Sequence, residues 1–355
     1  MKWNDNPEVL SPVGQTIKEL LKPKPRRQTL NNFDPIYCDI VDYIIRCTHR
    51  IWEEKNIGLC YTHYSEDCQL HTLSGPTVGS KAVVRGTIGA LAAFSDRAVV
   101  GEDVIWSEDE PGLFYSSHRI RSDGTHMGDD AMGMASMNPS GVMTIADCVV
   151  KENLIIEEWL VRDNLLAAAQ LGHNPWDIAR SQASSDQQGD LSRHSWREEW
   201  IESVKRNAAT LPPNDHPARI YADALILAFR ESLFGDAVQH LSPAVEVQWP
   251  TQRHGFGEGY WIGCVLQICA ALSDLSLSID HWAARPLPNG DIAVAIRWTL
   301  TGKHTGSGVW GQPSGREILL LNVSHLRMRG DKVVEDITLF DELAVLRQIA
   351  GGLGA

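Results

Sequence analysis

The sequence predicts an α+β protein of two tandem domains, each a curved antiparallel sheet wrapped around helices. Two observations carry this reading. Sliding the 355-residue chain against itself until Tyr43 falls on Tyr221 brings its halves into register without a gap. Within each half, helical periodicity comes first and a run of hairpin-linked extended segments follows, which is an α+β layout.

The register holds over the whole of both copies. Glu53 falls on Glu231, and Ala92-Ala93-Phe94-Ser95-Asp96 falls on Ala270-Ala271-Leu272-Ser273-Asp274. Gly112 meets Gly290, Arg119 meets Arg297, and Gly124-Thr125-His126-Met127-Gly128 meets Gly302-Lys303-His304-Thr305-Gly306. Near the end Glu157, Asp163, Leu165 and Gln170 meet Glu335, Asp341, Leu343 and Gln348. The matches concentrate at turns and helix faces, where geometry constrains residue choice.

Each element follows from its pattern. Helices are predicted over about 36–54 and 217–234, where Ile40, Ile44, Cys47 and Ile51, or Ile220, Ala224, Leu227 and Leu233, recur at helical spacing. Breaks at Gly58 and Gly235 precede strands at 67–73 and 245–250. Second helices are expected near 80–94 and 258–272. Extended segments follow at 98–106, 113–122, 141–150 and 154–162, and at the matching places in the second copy. Turns such as Ser122-Asp123-Gly124 and Pro288-Asn289-Gly290 separate them. The organisation is an N-terminal arm (1–34), a first domain (35–172), a linker (173–216) and a second domain (217–350). The linker carries one amphipathic helix, 195–208, with Trp196, Trp200, Ile201 and Val204 on one side, read as a strut across the domains. A curved sheet wrapped on helices leaves a cone-shaped cavity, the default place for a small molecule.

Composition narrows the function. A formal charge of −13 argues against nucleic acid, whose phosphates need a basic face. The basic run Lys22–Arg27 is broken by prolines and reads as a solvated tail. The longest apolar stretches, 90–94 and 318–321, are far short of a membrane span. The start lacks a signal-peptide pattern, so a cytoplasmic location is expected. Seven cysteines without a Cys-x-x-Cys pair imply neither a disulfide framework nor a zinc ribbon.

The second copy also resembles a known family. Arg297-Trp298-Thr299-Leu300-Thr301-Gly302-Lys303-His304-Thr305-Gly306 looks like a SnoaL-like polyketide (ester) cyclase. Gln312–Arg316, Gly330–Glu335 and Phe340–Gln348 extend the likeness, and Glu157-Glu158-Trp159 with 163–172 carries it into the first copy. The resemblance implies the cystatin-like, nuclear-transport-factor-like cone. No recognised metal motif is present in the sequence, and no cofactor is expected. The resemblance also implies domains that pair through the open faces of their sheets. Two copies on one chain would then form an intramolecular pseudo-dimer, with a homodimer of whole chains as a further arrangement. Such folds host many unrelated reactions, so the resemblance says little about which one.

The family's cyclases use a histidine on the penultimate strand and an aspartate after the last strand's Glu-x-Trp. Those positions fall on Ala146 and Leu160 in the first copy and on Ser324 and Thr338 in the second. None of these moves a proton near neutrality. The acid–base candidates are instead His126, His71 and His118, aided by Asp129 or Asp130, all in the first copy. His304, Trp249, Trp298, Asp163 and Asp341 are candidates for ligand contact; the two aspartates also sit where helix N-caps belong, and the tryptophans are core formers first. Asp147 and His325, next to the emptied positions, are expected to point out of the cones. The reading favoured is cofactor-independent acid–base chemistry on a small, largely apolar molecule: cyclisation, isomerisation, dehydration or hydrolysis. The alternative is a non-catalytic binding or scaffold protein.

Overall fold

A computed structural model describes residues 15–187, 192–206 and 210–351. Residues 1–14 of the predicted arm and 207–208 of the predicted linker helix lie outside the described residues. The first domain contains β1 (Tyr64–His71), β2 (Thr77–Val78), β3 (Ala98–Glu110), β4 (Leu113–Thr125), β5 (Pro139–Lys151) and β6 (Leu154–Arg162). The second contains β7 (Leu241–Trp249), β8 (Arg253–Phe256), β9 (Leu272–Pro286), β10 (Ile292–His304), β11 (Glu317–Arg329) and β12 (Lys332–Phe340). The sheet orders are β2-β1-β6-β5-β4-β3 and β8-β7-β12-β11-β10-β9, the same topology twice.

The repeat register survives at the level of single residues. The helices Ser80–Ala93 and Glu258–Ala271, and the strand pairs β5/β11 and β6/β12, begin and end at the same offset that sets Tyr43 on Tyr221. One detail departs from the expected antiparallel sheet: β1 runs parallel to β6, and β7 to β12. Hairpin turns enforce antiparallel pairing only between the strands they join. After β1 and the short β2 the chain crosses through the helix Ser80–Ala93, so β1 is free to pair with β6 in the same direction.

Each sheet has two faces with different tasks. Even-numbered residues of β4, β5 and β6, such as Phe114, Ala146 and Leu160, face inward onto the helix Ile40–Trp52. That helix is capped by the Asp39 carboxylate, which accepts from the Asp42 amide at 2.8 Å. Odd-numbered residues face the other domain. Ile105 and Tyr115 pack with Ala283, Ala293 and Ala295, while Ile145 and Val161 pack with Leu319, Leu321 and Val323. Polar pairs stud the same seam: Arg297 Nη1 lies 3.3 Å from Asp147 Oδ2, Arg285 Nη2 2.5 Å from Asp103 Oδ1, and Ser117 Oγ 2.8 Å from His325 Nε2.

The linker helix Ser192–Arg206 buries Ile201 and Val204, and Ile201 joins the interdomain cluster with Trp196 and Trp200 beside it. A second linker helix, Pro175–Gln187, goes beyond the single one expected from the sequence. Its buried stripe is Ile178, Ala179 and Ala183, two of them alanines too small to register as a hydrophobic period. Its start is legible: the Asn174 side chain accepts from the Trp176 amide at 2.9 Å, and Pro175 occupies the first turn. No helix among the described residues is long and apolar enough to cross a membrane.

Candidate functional site

The first cone is hollow. Its inner chamber, about 300 Å³, opens into an outer chamber of about 260 Å³. Ala90, Arg97, Thr144 and Arg162 line both, so they mark the waist between the two.

Three cross-strand rows floor this cavity. His118 stands opposite Ala146, and Ala146 opposite Leu160. On one side Ser116, Cys148 and Glu158 form the next row; on the other, Ile120, Thr144 and Arg162. The Ala146 and Leu160 positions therefore do face each other inside the cone, flanked by groups that titrate.

Glu158 is buried beside the Tyr64 hydroxyl. Burial pushes this carboxyl up to about 7, with the Tyr64 hydrogen bond and the Arg162 cation pulling the other way. His118 is buried too, and desolvation drives its imidazole down to about 4, the Asp103 charge opposing. Near neutrality His118 is an uncharged hydrogen-bonding group. Its Nδ1 lies 3.5 Å from Thr48 Oγ1, and its Nε2 has no partner and stands against the backbone of Gly101. A β-carbon at Gly101 would come within 2.8 Å of that nitrogen, so glycine makes room for the ring.

Arg97 and Arg162 are the cations of the site. Neither guanidinium makes an ion pair or hydrogen bond among the described residues, and the Nε of each is buried without a partner. Arg97 lies over the Trp52 ring at 4.4 Å. Burial lowers its pKa to about 9, with repulsion from Arg162 adding to the effect. It stays charged at neutral pH. Around them Cys47, Cys60 and Cys148 hold their protons because burial raises their thiols, so they pack rather than attack.

The second cone is filled. Trp298 takes the place corresponding to Ile120 and Trp261 that of Val83, and both indoles are fully buried. Asp336 stands where Glu158 stands in the first cone. Its carboxylate accepts from Tyr221 OH (2.8 Å), Trp261 Nε1 (2.8 Å), Trp249 Nε1 (3.2 Å) and Thr338 Oγ1 (2.6 Å). Ser324 and Thr338, the emptied acid–base positions, hydrogen-bond each other at 2.7 Å, and Trp298 Nε1 donates to Ser324 at 3.0 Å. Every polar group in this row is spoken for.

Several sequence-predicted site residues therefore take other roles. His71, His118 and His126 do not form a cluster. Asp67, Gln69 and His71 alternate with Cys68 and Leu70 along β1, and it is Cys68 and Leu70 that face the cone. His71 lies outside, 2.8 Å from Glu157 and stacked on Trp159. Of the three histidines only His118 lines the cavity.

His126 and His304 hold their loops. In each, Nδ1 meets the amide of a serine further along the loop, Ser136 or Ser314, at 3.3 Å. The glycine that closes each motif passes against a helix end: a β-carbon on Gly128 would lie 2.5 Å from Ala92 O, and one on Gly306 would collide with Ala270 O. The repeated Gly-x-His-x-Gly motif thus docks each loop against a helix end. Asp129 accepts from the Ala135 amide at 2.8 Å within the same loop. Asp130 accepts from the Met132 amide at 2.7 Å, approaches His126 Nε2 at 3.3 Å, and lines the outer chamber.

Asp163 and Asp341 cap the helices that follow them, accepting from Leu166 and Ala344 amides at 3.2 and 3.1 Å. Each also reaches across the repeat: Asp163 to the Thr251 amide at 2.7 Å, Asp341 to Asn164 at 2.5 Å. Asp341 additionally lines the outer chamber, while Trp249 and Trp298 belong to the second core. Asp147 and His325 point out of their cones into the domain seam, as strand alternation requires.

Glu158, Arg162, Arg97 and Tyr64 were missed by sequence reasoning. For the first two the signal existed: once Leu160 is placed inward, period-two alternation puts 158 and 162 on the same face. Arg97 follows a helix and Tyr64 begins a strand, and neither position has a periodic neighbour to orient it.

Residues 221–349 match the family model of the SnoaL-like polyketide cyclases, and the second domain is a SnoaL-like domain. The first copy repeats its topology strand for strand. Among solved structures the chain is similar to TsrD from Streptomyces laurentii, with 15% identity over 38% of this chain and 96% of that one, at a TM-score of 0.34. It is also similar to AclR from Streptomyces galilaeus (21% identity, 38% and 85% covered, TM-score 0.32). A third is IdmH from Streptomyces antibioticus (18% identity, 37% and 97% covered, TM-score 0.32). No curated protein matches the chain in sequence.

Proposed function

We propose that the first cone is a catalytic pocket for cofactor-independent acid–base chemistry on a small, largely apolar carbonyl or hydroxyl compound. The second cone is its structural partner. Cyclisation, isomerisation, dehydration and hydrolysis all fall within this class. The observation that carries the reading is Glu158, a carboxyl inside an apolar cavity whose pKa burial lifts to about 7. A group poised there is present in both protonation states near neutral pH, the condition under which a general base works best.

In the simplest step, Glu158 takes a proton from the carbon next to a substrate carbonyl. The C–H electron pair becomes a C=C bond and the carbonyl π pair moves onto oxygen. The positive field of Arg97 and Arg162 favours that developing negative charge. Glu158 then returns its proton to another atom of the substrate, and the site is restored. His118, uncharged at this pH, can hydrogen-bond a substrate oxygen but is no general acid.

A second reading, a binding module without turnover, is favoured by Ala146 and Leu160 standing where the family's proton-transfer pair would be. The two separate on product formation. Purified protein is incubated with a panel of aryl β-keto esters, β-hydroxy ketones and aryl keto acids and followed by mass spectrometry. Turnover that disappears in Glu158→Gln, with the fold retained, supports catalysis. A ligand that binds and is recovered unchanged supports the binding module.

A further inference from the structure

We propose that the ligand of the first cone is a monocarboxylate with an apolar body, its carboxylate received by Arg97 and Arg162 at the waist between the two chambers. This inference rests on reading the first cone as the working pocket. Its starting point is a charge imbalance. Two guanidiniums line one narrowing, close enough to repel each other, and neither has an ion-pair or hydrogen-bond partner among the described residues. Unpaired buried charge is costly, and structures normally compensate it.

The protein's own acids do not fill the role. Glu158 and Asp341 are the carboxyls whose charges reach Arg162, and neither lies within ion-pairing distance. Asp341 is committed to the Ala344 amide and Asn164. Of the other acids at the outer chamber, Asp123 pairs with Arg121 at 3.1 Å and Asp130 accepts from Met132 and faces His126.

Chemistry selects the anion. A guanidinium is a planar fork of donors that matches the two oxygens of a carboxylate. The charge of Asp341 already reaches Arg162 and offsets one of the two guanidiniums, so one further negative charge balances the waist, whereas a dianion such as phosphate would overshoot it beside Glu158. Beyond the waist the inner chamber is walled by Ile44, Ile51, Val83, Ile120 and Leu160, which fixes the rest of the ligand as apolar.

The test is titration calorimetry on the full chain with 2-naphthoate, 4-phenylbutyrate and decanoate, each against its neutral amide, and with phenyl phosphate. At least one acid is expected to bind ten-fold or more tightly than its amide and than phenyl phosphate. Arg162→Met and Arg97→Met should each cost the acid ten-fold or more and leave the amide unchanged. Should a methionine variant fail to fold, Arg162→Lys keeps the cation without the fork and is expected to weaken the acid by a smaller factor. Glu158→Gln should retain acid binding, so a failure of the catalytic reading would leave this result standing. Equal affinity for acid and amide, equal losses for both in the arginine variants, phenyl phosphate binding as tightly, or no binding at millimolar concentration would each overturn the proposal.

Discussion

Glu158 and Asp336 occupy the same position in the two cones, yet four donors hold Asp336 while Glu158 lies beside Tyr64 with no such set of donors around it. One duplicated carboxyl has become a buried anchor. Its twin faces a cavity with its proton in play. The proposed division of labour between the two cones rests on that divergence.

Stability should vary with pH through Glu158. This carboxyl faces Tyr64 from β1, Cys148 from β5, Arg162 from β6 and Cys47 from the helix Ile40–Trp52. Its folded pKa of about 7 exceeds the ordinary 4.5. The unfolded chain therefore ionises first, and this group costs the fold stability as pH rises from 4.5 to about 7. Glu158→Gln removes that slope. The melting temperature of the variant relative to the parent should climb between pH 5 and pH 8; a pH-independent difference would contradict the burial of Glu158.

His118 gives the opposite slope. Its folded pKa of about 4 lies below the ordinary 6.5, so it subtracts stability as pH falls through that window. His118→Gln should stabilise the protein at pH 5 relative to pH 7.5 when each is compared with the parent. Thermal melts at the two pH values read this directly.

The filled and hollow cones should respond differently to the same truncation. Trp298→Ala opens a void in a packed core and removes the donor to the Ser324–Thr338 pair, at a cost of about 3–5 kcal/mol. Ile120→Ala at the corresponding place only enlarges an existing cavity and should cost less. Denaturant midpoints of the two variants make the comparison.

The domain seam depends on charge pairing. Arg297 lies 3.3 Å from Asp147 and 3.5 Å above the Trp159 ring. Arg297→Ala leaves Asp147 buried with only Tyr115 and Ser117 as donors and should destabilise by about 3–5 kcal/mol. Adding Asp147→Asn should recover part of the loss; strict additivity of the two changes would show that they do not interact.

The loop histidines should matter to stability and not to chemistry. His126→Ala and His304→Ala each strand a serine amide, costing about 1–3 kcal/mol. Binding in the first cone, measured per folded molecule, should be the same for His126→Ala as for the parent.

Most of the fold was legible because duplication makes the sequence its own comparison. The helix at 80–93 and the strand at 154–162 fall within a residue of where periodicity puts them. The alanine-rich stripe of the helix Pro175–Gln187 is too weak to read, and the parallel β1–β6 pairing is a property of tertiary crossing that no local pattern records. The site was harder. Histidines draw attention as titrating groups, but a histidine's role is set by which side of a sheet it faces, and His71 shows how one face can be right and its direction wrong. Glu158 carries its chemistry through burial, a quantity that emerges only when the cone closes over it.

The measurement that bears most directly on the central claim is crystallographic fragment screening of the full chain with small apolar carboxylates. Density is expected in the first cone, with the carboxylate between Arg97 and Arg162 and the apolar end toward Leu160, and none within the second. A fragment seated beside Trp298 and Asp336, with the first cone empty at the same concentration, would contradict it.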